Sequence, residues 1–571
     1  MLFYDFEVFT EDWLVVILDA AKKSEVIFHN DEQGLINYYN KYKNDIWIGY
    51  NSRHYDQYIL KAIICGFTPQ EINEWIIIKR NPGWKFFKDF WKIQLYNFDV
   101  MTNKFRSLKQ LEGFMGHNIK ESDVSFEINR ALTDEEIEEV IIYCRHDVHE
   151  TIHIFMENIE EFDSQMELLK MFKLPLRNIS KTKAQLSAFI LEAKQPLIPR
   201  EDEFNFSFPP TLQINKYTNV LDFYKENRDY SKVLETNIAG VPHIFAWGGL
   251  HGARNKYYGT GHFINIDVSS YYPALMIEYG YLSRNVKDPK KFREIRDTRL
   301  KYKAAKDKRQ APLKIVINGT YGAMKDKYNG LYDPLQANNV CIGGMTLLLD
   351  LIEKLEPHCE IIQSNTDGVL VKLYHYDDYE LIDDICWEWE KRTKMELEFD
   401  EFVKVIQKDV NNYIMVPEGS LYDKKGKPRW KAKGSYVKHL SPLDNDLPIV
   451  NEAVVNYFIK GIEPEETIFN CKDLIKFQKI VKISNKYSYA RYGTRRMNEK
   501  VFRVFASVDK NDKELKKVKN GTAEKIAYVP EQCFIVNDDL SDKEIPSKLD
   551  YWWYLDLANK RINDFLGYGN N

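Results

Sequence analysis

The chain has 571 residues, 44% of them hydrophobic and 29% charged, and a formal net charge of −5. That length is too great for one core, so three or four domains are expected in an ordinary soluble globular chain. The seven scattered cysteines (Cys65, Cys144, Cys341, Cys359, Cys386, Cys471, Cys533) form no C-x-x-C pair, which argues for reduced thiols in a cytosol and against zinc or iron–sulfur centres.

No signal peptide is read at the N-terminus, and no apolar run is read as long enough to span a bilayer. Charge is uneven. Residues 284–314 hold thirteen Lys/Arg against four Asp/Glu, a local +9 that leaves −14 for the rest. A basic arm on an acidic body suits a protein that grips phosphate in one channel.

Residues 1–9 read as a strand on which Asp5 and Glu7, two apart, share a face. A second strand, Ile46–Tyr50, runs into Asn51-Ser52-Arg53-His54-Tyr55-Asp56. An acidic helix start at Thr133–Glu136 leads to Tyr143 and Asp147, spaced i, i+4 on one face. A surface or capping role is the commoner use of each piece alone. Asp99 reads as structural.

Ser180–Ala193 has helical periodicity, and Pro209-Pro210 marks a loop or boundary. Gly248 and Gly249 then permit a close backbone approach or a plain glycine turn. Phe263–Asp267 reads as a strand, with a short helix starting near Pro273. A carboxylate at a buried strand's end is a good metal ligand, though such an Asp is more often a cap.

Residues 289–309 read as a helix with Arg296, Arg299, Lys303 and Lys306 along one side, by default a solvated face. Lys314, Asn318 and Tyr321 would share a helix face, yet Ile315-Val316-Ile317 and Gly319 make the pattern that of a buried strand. Residues 360–373 read as a hairpin with Asp367-Gly368 near its tip. Residues 396–416 alternate as strands, followed by Lys431-Ala432-Lys433.

Taken in order, these stretches resemble the motifs of family B DNA polymerases. Asp267, Ser270, Tyr272 and Pro273 match D-x-x-S-L-Y-P, with Tyr271 in the Leu place. Lys314, Asn318, Tyr321 and Gly322 match K-x-x-x-N-S-x-Y-G, with Gly319 where Ser is usual. Asn365-Thr366-Asp367-Gly368 stands for D-T-D-S. The N-terminal pieces resemble the D-x-E, N-x-x-x-Y-D and Y-x-x-x-D motifs of proofreading exonucleases. Phe245–Gly252 resembles the Y-x-G-G segment of phage members, with Ala246 in the Tyr place.

The resemblance implies an α+β multidomain chain: an RNase H-like exonuclease, then a right-hand polymerase of palm, fingers and thumb. The implied boundaries are 1–165 exonuclease, 166–245 connecting region, 246–283 palm with the first motif, 284–325 short fingers, 326–440 second palm part and 441–571 thumb. It makes Lys314–Tyr321 a helix. It implies two Mg2+ (or Mn2+) per active site, on Asp267, the adjoining Val268 and Asp367 in one, and on Asp5, Glu7, Asp56 and Asp147 in the other, with Tyr143 orienting water. Ser270, Tyr272, Arg299, Lys303, Lys314 and Asn318 would meet the nucleotide. Gly248, Gly249, Tyr321, Gly322, Lys408, Tyr413, Lys431 and Lys433 would meet DNA.

The implied function is template-directed addition of deoxynucleotides to a primer, with 3′–5′ proofreading, as in compact phage or mobile-element enzymes acting in the host cytoplasm. Only 47 residues separate Asp267 from Lys314. That short gap implies a nucleic-acid primer and no terminal protein, with a helicase, primase or clamp as helper. Asn365, Gly319 and Gly368 favour the alternative of an active 3′–5′ exonuclease whose polymerase region only holds DNA. A primer–template binding subunit is the non-enzymatic alternative.

Overall fold

Along strand β1 (Leu2–Val8) alternate residues face opposite ways: Leu2, Tyr4, Phe6 and Val8 enter one apolar core, leaving Asp5 and Glu7 on the other face. β1 is the middle of a five-stranded sheet with β2 (Trp13–Asp19), β3 (Ser24–His29), β4 (Ile46–Gly49) and β5 (Tyr96–Asp99), in the order β3-β2-β1-β4-β5. β2 is antiparallel to β1 and β3, whereas β1, β4 and β5 are parallel. Helix Asp134–Glu157 packs on the Asp5/Glu7 face. It is started by a reciprocal cap between Thr133 and Glu136.

The computed structural model describes residues 1–101 and 106–568. Its contacts divide the chain into two units. The first comprises Met1–Lys181, Leu440–Ile449 and Asn470–Tyr554; the second comprises Thr182–His439, Val450–Phe469 and the stretch from Leu555 on.

Residues 470–554, read from sequence as part of a thumb, therefore group with the N-terminal unit. The fully buried Arg503 shows why: its guanidinium donates to Gln478 Oε1 (3.0 Å), Asp538 O (2.7 Å), Gly113 O (3.3 Å) and His117 O (2.6 Å). Of the last two carbonyls, that of Gly113 lies in the final turn of helix Leu108–Met115 and that of His117 just past its C-cap Gly116.

The second unit is built on nine strands: β6 (Leu234–Ile238), β7 (Val241–Ala246), β8 (Gly249–Ala253), β9 (Tyr257–Val268), β10 (Cys359–Ser364), β11 (Gly368–Leu373), β12 (Leu397–Asp409), β13 (Asn412–Val416) and β14 (Lys431–Lys433). Their order is β14-β13-β12-β9-β11-β10-β8-β7-β6. β10 and β11 form the expected hairpin, and β9 lies between β11 and β12, antiparallel to both.

Three elements differ from the sequence reading, and a fourth follows the resemblance where the residue pattern pointed to a strand. Helix Tyr271–Glu278 starts two residues before Pro273, behind Ser270 at φ 49°. The basic helix ends at Ala304, since Lys306 takes φ 53°. The β-branched run 315–317 lies inside helix Gln310–Lys325, because that helix packs on helix Lys183–Ile190 and tertiary contact overrides propensity. Helix Pro334–Leu355, finally, is long and apolar enough to cross a membrane, a candidate the sequence reading does not register. It is almost wholly buried within its unit, with Asp350 bound by Arg392, so it serves as a core helix.

Candidate active sites

In the second unit Asp267 is the penultimate residue of β9, opposite Gly368 of β11 and Glu398 of β12. The Val268 N–H donates to the carbonyl of Asp367 (2.7 Å), which ties the two aspartates' backbones together at one end of the sheet. Asp367 is exposed, and Asp267 is half-buried. Burial pushes the Asp267 carboxyl above the ordinary range; Lys431 pulls it back, and the Asp367 charge pushes it further. Asn265 Nδ2 donates to Asp267 Oδ2 (2.6 Å), while the Lys431 ammonium stands 3.5 Å from the same oxygen and 2.6 Å from Asp400.

Two departures from the motifs have local causes. A Cβ at Gly368 would lie 2.2 Å from Asp267 Oδ1, and one at Gly319 would lie 2.7 Å from Ser187 Oγ. Helices 183–190 and 310–325 meet at Gly319, where the Ser187 hydroxyl donates to Val316 O (3.3 Å). Tyr271, in the Leu place, is buried and donates its hydroxyl to Gly344 O.

The basic helix turns two cations toward β9 and β12. Arg299 Nη1 donates to Ser270 Oγ (3.2 Å), and Lys303 pairs with Glu398 (2.9 Å), which also accepts from Ser269 Oγ (2.8 Å). Arg296 is instead committed to Asp297 and Glu278. The Tyr272 ring lies 4.4 Å from that of Tyr321. Lys314, Asn318 and Gly322 are exposed on their helix.

Tyr413 pairs across the sheet with Lys433, and its hydroxyl is pushed up by burial and by the Asp267 and Asp367 charges. Lys408 is not brought to this group, since its ammonium pairs with Asp564. Gly249 lies against Thr366, whereas Gly248 is open to solvent. Sequence reasoning missed His251, whose imidazole is pushed down by burial and by Lys433 and drawn up by Asp367. It also missed Glu398, which strand register sets opposite Asp267, and Asn265, which period-2 alternation along β9 places on the same face as Asp267.

In the first unit Asp5, Glu7, Asp56 and Asp147 form a second group. Asp56 opens helix Asp56–Ile64 and accepts from the Phe6 N–H (3.2 Å). Burial raises the Asp5 carboxyl, as do the charges of Asp56, Glu7 and Asp147. It also raises Glu7, and it pushes Asp56 up to about 7.

One cation answers these charges. The buried Lys109 donates to Asp147 (2.7 Å) and Glu112 (3.1 Å), and lies 4.7 Å from the centre of the Tyr143 ring. Burial works to lower its ammonium, but Asp147 and Glu112 outweigh it and hold it up. Lys109, Glu112 and His146, which stands 3.5 Å from Glu112, carry no motif spacing that would have singled them out. Asp99 accepts from the Arg53 and Met101 N–H groups, a structural role.

By donor chemistry the first unit fits divalent cations, since Asp5, Glu7 and Cys144 place ligand atoms within 4.8 Å of one another and Asp147 does so with Glu112 and His146, while Asp267 and Asp367 offer two carboxylates at one end of the second sheet.

No family model and no curated protein matches the sequence. Among solved structures the fold is similar to that of the family B DNA polymerase from the hyperthermophilic archaeon Pyrobaculum calidifontis, with 14% identity and a TM-score of 0.43 over 100% of this chain and 78% of that one.

Proposed function

We propose that the chain is a template-directed DNA polymerase with a 3′–5′ exonuclease. The observation that carries this reading is the β9–β11 register: it sets Asp267 opposite the residue after Asp367, with Arg299 and Lys303 directed to the same end of the sheet. Divalent cations held by Asp267 and Asp367 would activate the primer hydroxyl and neutralise the triphosphate. Arg299 and Lys303 would give up Ser270 and Glu398 for phosphate oxygens as charge-assisted donors. Tyr272, packed on Tyr321, would lie under the sugar and exclude a 2′-hydroxyl. Lys431 would hold Asp267 ionised until substrate binds.

For the exonuclease, the sheet order β3-β2-β1-β4-β5 supports an RNase H-like fold, and the grouping of Asp5, Glu7, Asp56 and Asp147 supports its chemistry. Tyr143 would orient a water, and Lys109 would fix Asp147.

Incorporation of one labelled deoxynucleotide on a primer–template, with Mg2+ present, tests both parts. Asp367→Asn should abolish incorporation and spare 3′ trimming; Asp5→Asn should do the reverse. Trimming without incorporation by the wild type would leave the second reading, a nuclease whose polymerase region holds DNA, which Asn365 and Gly368 favour.

A further inference from the structure

Residues 74–92 of the first unit read Glu-Trp-Ile-Ile-Ile-Lys-Arg-Asn-Pro-Gly-Trp-Lys-Phe-Phe-Lys-Asp-Phe-Trp-Lys. Their aromatic side chains divide into two sets. Phe90 is buried, Phe86 and Phe87 each sit 5.1 Å from Phe67, and the Trp75 indole donates to Pro82 O (3.1 Å). Those rings anchor the segment. Trp84 and Trp91, by contrast, are 61% and 79% exposed, alongside the exposed Ile77 and Ile78. A segment whose inner rings already pack does not leave two indoles in water by default; this is a presented surface.

The surface is also cationic, with five Lys/Arg against two carboxylates on a chain of net −5. Lys79 and Lys92 pair with Glu74 and Asp89. Arg80, Lys85 and Lys88 have no carboxylate partner among the described residues. The Lys85 ammonium lies 5.2 Å from the Trp84 ring and that of Lys92 5.8 Å from the Trp91 ring. An exposed indole with a cation at its side thus occurs twice, seven residues apart.

We propose that this segment is a binding site for single-stranded nucleic acid, with unstacked bases on Trp84 and Trp91 and phosphates on the neighbouring cations. Each base offers a π-face irrespective of sequence, and each phosphate a charge, which is the pairing this surface supplies. A duplex hides its base faces. A membrane surface would be met by an amphipathic helix, but the helical run Pro69–Ile78 ends before either exposed tryptophan, and Trp84 and Trp91 lie on helical turns of only three and five residues. The inference goes beyond the two carboxylate sites and rests on the polymerase reading only for the choice of DNA as ligand.

The test uses the full chain, with unlabelled primer–template in excess to occupy the polymerase site, and a fluorescein-labelled oligo-dT followed by anisotropy. Trp84→Ala and Trp91→Ala should each weaken oligo-dT binding at least about five-fold, with larger loss in the double variant. Arg80→Glu with Lys88→Glu should flatten the salt dependence. All positions are exposed, so the melting temperature should hold, and extension of a short primer–template should stay within about two-fold.

Unchanged oligo-dT affinity in the double tryptophan variant would overturn the proposal and leave the polymerase reading standing. A wild type that binds neither oligo-dT nor primer–template would sink both. Tryptophan-dependent binding to phosphatidylserine vesicles without oligo-dT binding would also overturn it, in favour of a membrane.

Discussion

Gly368 stands directly opposite Asp267, so a Cβ at 368 would lie 2.2 Å from Asp267 Oδ1 and 2.8 Å from the Ile266 carbonyl. The carboxylate can rotate away, but the carbonyl belongs to the ladder and cannot. Gly368→Ala and Gly368→Ser should therefore turn Asp267 from its position and strain β9 against β11. We expect single-turnover incorporation to fall at least about tenfold, with a loss of ~1–3 kcal/mol in denaturant melts. A fully active Ser variant would show that Asp267 does not need its present rotamer.

Gly319 makes the corresponding contact between helices. Restoring the usual Ser there puts a Cβ 2.7 Å from Ser187 Oγ and 3.3 Å from Lys183 O. Gly319→Ser alone should cost about 1–3 kcal/mol, and Ser187→Gly should recover part of that cost in a double-mutant cycle. Additivity of the two changes would mean the helices separate without coupling.

These two glycines also mark how far the sequence could be read. Period-2 alternation sufficed for β1, the Asp-Gly tip for the 360–373 hairpin, and Thr133 with Glu136 for the start of the long helix. The helix at 310–325 was legible only by resemblance, since its β-branched run becomes helical through packing on helix 183–190. Lys109 lies 38 residues from Asp147, and a lone lysine has no periodicity to betray it. Arg503 pairs with carbonyls nearly 390 residues away, which no local pattern encodes.

The buried carboxylates of the first unit should make stability depend on pH in an unusual direction. Asp56 is held at about 7 in the folded chain, chiefly by burial, against about 3.9 unfolded. The folded state therefore binds its proton more tightly. That stabilisation is fully present below about pH 4 and is lost as pH rises toward 7. With chelator present, the contribution should fall by up to ~4 kcal/mol across that window, shared among the coupled carboxylates. Mg2+ should restore stability near neutral pH, and Asp56→Asn should flatten the profile. Thermal melts from pH 4 to 7.5, with EDTA or Mg2+, would show it; an EDTA profile equally steep in Asp56→Asn would assign the effect elsewhere.

Arg503 joins residues 470–554 to the helix that carries Lys109 and Glu112. Its guanidinium serves the carbonyls of Gly113, His117 and Asp538 and the side chain of Gln478. Arg503→Met keeps the volume but strands those acceptors, so it should destabilise the first unit on the order of 3–5 kcal/mol. Because helix 108–115 is freed at its C-terminal end, Lys109 should lose its fixed place beside Asp147 before the sheet unfolds. Trimming of a 3′ end, measured below the melting transition, should then fall more than nucleotide incorporation does. Equal loss of both activities would make Arg503 a general stability residue and remove its link to Lys109.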